Sequence, residues 1–142
     1  MFYLTGEFSH QLDAKNRIRI PSKLKKELGD RYCFTKGTNG CLFVFPEEVI
    51  KEKLAEIQQI KMSDKDKQKG ARTFIKSVNF AEEDNQGRIV LPLKLREFAK
   101  IQKDIVVCGN GNHVEIWAKE VYDDYFSDED ECYDDYFNSL GI

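Results

Sequence analysis

The sequence predicts an α+β fold built from two tandem copies of one small, β-rich unit. Three observations carry this expectation. One segment recurs at a fixed offset, stretches inside it alternate polar and apolar residues, and each copy holds a glycine-rich turn between two apolar runs. A repeat of this kind governs the architecture and is best sought before any single element is assigned.

The repeat is explicit. Asp13 to Lys25 aligns, 71 positions further on, with Asp84 to Arg96. Identities fall at Asp13/Asp84, Arg17/Arg88, Ile18/Ile89, Pro21/Pro92, Lys23/Lys94 and Leu24/Leu95. After a one-residue slip the match resumes with Gly37/Gly109, Val44/Ile116, Phe45/Trp117, Glu48/Glu120 and Val49/Val121.

Within the first copy, Arg17-Ile18-Arg19-Ile20 alternates as a half-buried strand does. Pro21 suits a helix start, where a missing N–H costs nothing. A short helix is predicted over Lys23 to Leu28, with Gly29 as its stop. Two strands follow, Tyr32-Cys33-Phe34 and Leu42-Phe43-Val44-Phe45, around Gly37-Thr38-Asn39-Gly40, whose Asn-Gly pair signals a hairpin. The second copy repeats the hairpin as Ile105-Val106-Val107, the turn Gly109 to Asn112, and Val114 to Trp117.

Helical sequence lies between the copies. Pro46-Glu47-Glu48 opens it with acids at the positive helix end. Val49, Ile50, Leu54 and Ile57, extended by Ile60, form one apolar stripe. Ser63 to Asp66 resembles a capping signal for a second helix running towards Phe74. Glu120 to Tyr125 mirrors the first of these helices in the second copy, and the acidic end beyond it reads as solvated or disordered. The expected division is residues 1–62 for the first unit with its helix, 63–76 for a connecting helical segment, 77–126 for the second unit and 127–142 for an acidic tail.

Bulk properties narrow the function. At 142 residues, 41% hydrophobic and 33% charged, the chain is expected to be an ordinary globular protein. Its first residues lack a basic, then apolar, leader pattern, and no stretch approaches the roughly 20 apolar residues of a membrane span. A cytoplasmic location and no membrane partner are expected. The four cysteines (Cys33, Cys41, Cys108, Cys132) form no C-x-x-C pair, and His10 and His113 are the only histidines. No metal site is therefore expected, and the first three thiols read as buried and reduced, as in a reducing compartment. The net charge is −3, but nine acids and one lysine lie from Lys119 onward, leaving a net +5 on residues 1–118. Distribution matters more than the sum, and a mildly basic body is compatible with nucleic acid.

Catalysis finds no support. Nucleophile-elbow, phosphate-loop, dinucleotide and zinc-protease motifs are all missing, so no catalytic residue, cofactor or small-molecule substrate is expected. What remains is the repeated Asp-x-x-x-Arg loop. Asp13 and Asp84 can accept backbone N–H bonds in a turn, and Gly87, with Asn16 in its place, suits a left-handed residue before the arginine. Arg17 and Arg88 would then offer planar forks to phosphate or to a guanine edge. The plainer alternative is an Asp–Arg pair that only staples each copy.

Taken together, Gly6 to Pro21, Asp84 to Pro92 and Asn112 to Trp117 resemble the MraZ family, whose subunits carry two AbrB-type swapped-hairpin units. The resemblance covers nearly all of the chain except its acidic end. It implies two interlocking units around a central β-barrel, and a bacterial regulator that forms rings of subunits and binds repeated short boxes of double-stranded DNA. The implied target is the promoter of the division and cell-wall gene cluster, with a nucleoid location. By matching positions, the implied DNA-facing residues are Arg17 with Lys15 and Asn16, and Arg88 with Gln86 and Gly87. The chain departs from the family at Asn16, where glycine is usual, and at acidic Glu82-Glu83, where the counterpart of Leu12 is missing. The second loop is accordingly expected to contribute less. An antitoxin-like module that neutralises a protein partner with its acidic tail is the alternative, and RNA binding is a distant third. The two-unit arrangement favours the DNA reading, since an antitoxin normally carries one unit.

Overall fold

Each element begins where local chemistry starts it. In the computed structural model, which describes residues 2–142, strand β1 (Glu7–Gln11) leads into the first loop and a two-residue β2 (Arg17–Ile18). Met1, the first residue of the expected first unit, lies outside the described residues. The strand expected through Ile20 is shorter because the chain turns there into Pro21, whose carbonyl accepts from Leu24 and Lys25 and starts α1 (Ser22–Leu28). Gly29 ends that helix at φ 84°, its N–H returning to Lys25. β3 (Tyr32–Lys36) and β4 (Leu42–Pro46) form the expected hairpin, with Asn39 and Gly40 both left-handed at φ 57° and 86°.

α2 (Glu47–Gln58) starts with Glu47 and Glu48 in its first turn. α3 (Lys65–Ser77) is capped by Asp64, whose carboxylate accepts from Lys67 N at 3.1 Å. The second copy then runs through β5 (Asn79–Phe80), β6 (Ile89–Val90), α4 (Leu93–Phe98), β7 (Asp104–Gly109), β8 (Val114–Ala118) and α5 (Lys119–Tyr125). At the acidic end, expected to be solvated or disordered, Tyr133–Ser139 form a helix, α6, none of whose residues is buried.

The two copies exchange strands. The main sheet has six antiparallel strands in the order β1-β7-β8-β4-β3-β5, and β2 pairs with β6 in a separate ribbon. Thus β1 of the first copy lies on β7 of the second, and β5 of the second lies on β3 of the first. The order reads the same when the copies are interchanged. In register, Phe43 faces Glu115 and Ile18 faces Ile89, which are equivalent positions, so a pseudo-twofold axis passes through both pairs.

The expected central β-barrel is corrected. The sheet ends at β1 and β5, and among the described residues no pairing joins them. β5 has only two residues, too few to carry closure, and a barrel needs every strand paired on both edges.

One core lies between the sheet and the ribbon. Equivalent residues from both copies meet in it, including Ile18 with Ile89, Ile20 with Leu91, Leu24 with Leu95 and Leu42 with Val114. This largest cluster is shared by the two copies. A second cluster joins α2 and α3 to the sheet through Val49, Ile50 and Phe74, and a third surrounds Trp117. Ile57, by contrast, lies outside these clusters. Among the described residues no helix is long and apolar enough to cross a membrane.

Candidate nucleic-acid interface

Both Asp-x-x-x-Arg loops close through the same set of bonds. Asp13 Oδ1 accepts from the backbone N–H of Lys15 and of Arg17, each at 2.9 Å, and its Oδ2 accepts from Arg17 Nε at 2.8 Å. Asp84 does the same with Gln86 N at 2.8 Å, Arg88 N at 2.9 Å and Arg88 Nε at 2.8 Å. Backbone bonds from Asp13 N to Arg17 O and from Asp84 N to Arg88 O complete each turn. The residue before each arginine is left-handed, Asn16 at φ 59° and Gly87 at φ 74°. Asn tolerates this conformation better than other side chains do, which is why the departure from glycine leaves the loop intact.

These bonds fix the charge state of the aspartates. The backbone N–H of Arg88 is the largest influence on Asp84, which is lowered to about 2, with the Gln86 N–H and the Arg88 side chain adding to it. Asp13 is lowered in the same way, first by the Arg17 N–H. Each arginine spends its Nε on the aspartate of its own loop. The aspartate thus staples the turn and fixes the direction in which its arginine leaves the backbone.

The β2–β6 ribbon brings the loops together. Arg17 faces Val90 across it, Leu91 N donates to Asn16 O at 3.1 Å, and Arg17 Nη1 lies 3.8 Å from Asp84 Oδ2. Asp84 therefore touches both arginines. Arg88 has the more open side chain, 31% exposed against 22% for Arg17. Lys15 and Gln86 are exposed beside their arginines, and Asn16 and Gly87 are half-buried in the turns.

Two features went unread in the sequence. Arg19 alternates with buried Ile18 and Ile20, so it shares the outward face of the ribbon with Arg17. The Arg-Ile-Arg-Ile alternation of residues 17–20 carries that signal. Glu82 and Glu83 precede the second loop; the Glu83 carboxylate accepts from Tyr32 OH at 2.7 Å and lies 3.4 Å from Lys25 Nζ, and it pairs with neither arginine. It occupies the position equivalent to buried Leu12, which explains how an acid is accommodated there.

Other reactive groups lie apart. Burial pushes Cys33 up to about 11 and Cys41 and Cys108 up to about 12, as inert thiols. His113, flanked by Phe43 and Phe45, stands 3.6 Å from Glu115, which also accepts from Trp117 Nε1 at 3.1 Å. Burial alone would raise Glu115, but these neighbours hold it low. Among the described residues no group of three or more His, Cys, Asp or Glu side chains is placed to hold a metal ion.

Two staple-and-fork loops joined at a pseudo-twofold by reciprocal strand exchange define a tandem-repeat protein of the α+β class with one paired arginine surface. The chain belongs to the MraZ family. The family profile described as "MraZ protein, putative antitoxin-like" matches residues 3–73 and 75–135, one match per copy. The chain is similar to the "Transcriptional regulator MraZ" of Symbiobacterium thermophilum, 43% identical over 137 residues, covering 96% of this chain and 99% of that one. It is also 42% identical over 127 residues to the protein of the same name from Thermoanaerobacter pseudethanolicus, covering 89% of each.

Proposed function

We propose that the protein is a sequence-specific, DNA-binding transcriptional regulator that uses the paired arginine loops as its reading surface. The observation that carries this is the geometry of the ribbon, which brings the Arg17 and Arg88 loops together, both arginines within reach of Asp84 and both side chains partly exposed, at 22% and 31%. Lys15, Asn16, Gln86, Gly87 and Arg19 flank them. Such forks suit phosphate oxygens and the O6/N7 edge of guanine. The relatives named as transcriptional regulators support the same class of function.

The finer picture follows the family resemblance. The reciprocal strand exchange is what two AbrB-type swapped-hairpin units fused in one chain would give, with residues 1–62 and 77–126 as the units, 63–76 as the connection and 127–142 as the tail. Several subunits associate in a ring and engage repeated boxes, in the promoter of the division and cell-wall gene cluster, at the nucleoid. Many weak contacts then act together. A protein-neutralising, antitoxin-like role remains the second reading, favoured by the acidic, aromatic α6.

The test is binding of the full chain to the DNA upstream of its own coding sequence, by anisotropy at several salt concentrations. Each phosphate contact adds about −0.9 to the log–log salt slope, so a surface using both loops gives a slope of several units. Arg17→Ala and Arg88→Ala are both expected to weaken binding, Arg88→Ala by less, because acidic Glu82 and Glu83 precede that loop. Unaltered affinity in both variants would remove the loops from the reading surface.

A further inference from the structure

The sequence Tyr-Asp-Asp-Tyr-Phe occurs twice near the chain end, at 122–126 and 133–137. The first copy shows what the motif does. Tyr125 stacks on Trp117 at 5.1 Å between ring centroids, and Tyr122 and Phe126 meet the same indole edge-on at 6.2 and 5.4 Å. The second copy has the same side chains and no such surface. Tyr133, Tyr136, Phe137 and Leu140 fall on one stripe at helical spacing and are 58%, 50%, 39% and 64% exposed. Among the described residues Tyr133 and Phe137 stack only on each other, and Tyr136 OH bonds only to Asp128.

A complementary surface exists elsewhere. A groove of about 680 Å³ runs between α3 and α4, with Lys36, Lys76 and Lys94 among its walls. It continues past Lys36 and Thr73 to Lys69 and Phe98. Leu93 and Phe98 are exposed in it, and Lys36 Nζ sits 5.0 Å from the Phe98 ring centre. Among the described residues these four lysines pair with no carboxylate, although Glu97 and Asp66 lie on the walls. Lys69 and Lys76 also belong to a basic stripe, Lys65, Lys69, Arg72 and Lys76, along one face of α3.

We propose that this groove receives the acidic, aromatic α6 of a second copy of the chain. Charge and apolarity both match: the groove supplies lysines beside exposed Leu93 and Phe98, and α6 supplies Asp134 beside an unpartnered aromatic stripe. A DNA backbone would satisfy the lysines but would leave the apolar side chains exposed to water. The inference rests on the self-association proposed above and is independent of DNA binding.

The experiment is zero-length carbodiimide cross-linking of full-length protein, refolded together from equal amounts of ordinary and ¹⁵N-labelled chain, with light scattering to verify that the original mass returns. The expected product joins a peptide with Lys76 or Lys94 to one with Asp134, carrying one light and one heavy partner. Its yield should fall to background in Lys76→Glu/Lys94→Glu and return when that variant is mixed with Asp134→Lys. Products of one isotope only would place α6 in its own chain's groove and overturn the proposal. A full oligomer without this link overturns the groove assignment while leaving self-association standing, and a monomeric mass overturns both. Loss of DNA affinity in Lys76→Glu/Lys94→Glu, with no α6 link in the native protein, would give the groove to phosphate instead.

Discussion

At the scale of the residue, the aspartates decide most. Each carboxylate holds two backbone N–H groups and one guanidinium Nε, so it sets both the turn and the direction of the arginine. Asp84, at about 2 in the folded protein, lies below the roughly 3.9 of an unperturbed aspartate. A folded-state value below the unfolded one means stability that is present above pH 4 and is lost as pH falls through 2. Melting temperature should therefore drop over that window, and Asp84→Asn should flatten the drop while lowering stability at neutral pH. An identical acid profile in the variant would mean that other carboxylates govern it. These loops were legible in the sequence, because Asp-x-x-x-Arg and a left-handed Asn or Gly are local features. The bond from Glu83 to Tyr32 was not, since it joins residues 51 positions apart and depends on a fold that a linear pattern does not contain.

At the scale of the element, turns and caps were legible, and strand partners were not. Asn39-Gly40 and Asp64 act where their chemistry placed them. A period-two pattern says which face of a strand is buried, but it does not say which strand lies beside it. The pairing of β1 with β7 therefore went unread, and so did the α6 helix, hidden by its acids. Glycine gives a direct check on the exchanged strand. A Cβ on Gly109 would overlap the backbone of Leu4 and Thr5, where the N-terminal segment crosses the second hairpin, whereas one on Gly87 would meet nothing within 4 Å. Gly87→Ala carries only the strain of a left-handed alanine, about 1 kcal/mol, and Gly109→Ala should cost clearly more in urea unfolding. Equal losses would mean that the segment before β1 moves aside freely.

At the scale of the whole molecule, the shared core makes the copies interdependent. Ile18, Ile89 and their neighbours are buried in one cluster, so unfolding should be a single transition. Replacing Ile89 with alanine removes a buried side chain at the centre of the ribbon, and losses of roughly 2–5 kcal/mol are usual for such a change. The pseudo-twofold also predicts what half of the chain would do. Residues 1–76 alone lack β7, the partner of β1, and β5, the partner of β3. A second copy of the same half could supply an equivalent of β7 through its own β3. That fragment should sediment as a dimer with β structure, and a folded monomer would show that the exchange is dispensable.

The pseudo-twofold is only approximate, and its breaches are local. Phe43 faces Glu115 on the axis, Glu83 stands where Leu12 stands, and Asn16 stands where Gly87 stands. In a dimer of identical chains every substitution appears twice, and the two-fold shape binds the pair to inverted half-sites. A covalent tether releases that constraint. One loop can drift while the other is held, so the two halves of a binding site need not be mirror images. If the proposed DNA-binding role holds, such a chain has a front and a back, and copies set side by side in one orientation would suit boxes that all point the same way along a duplex.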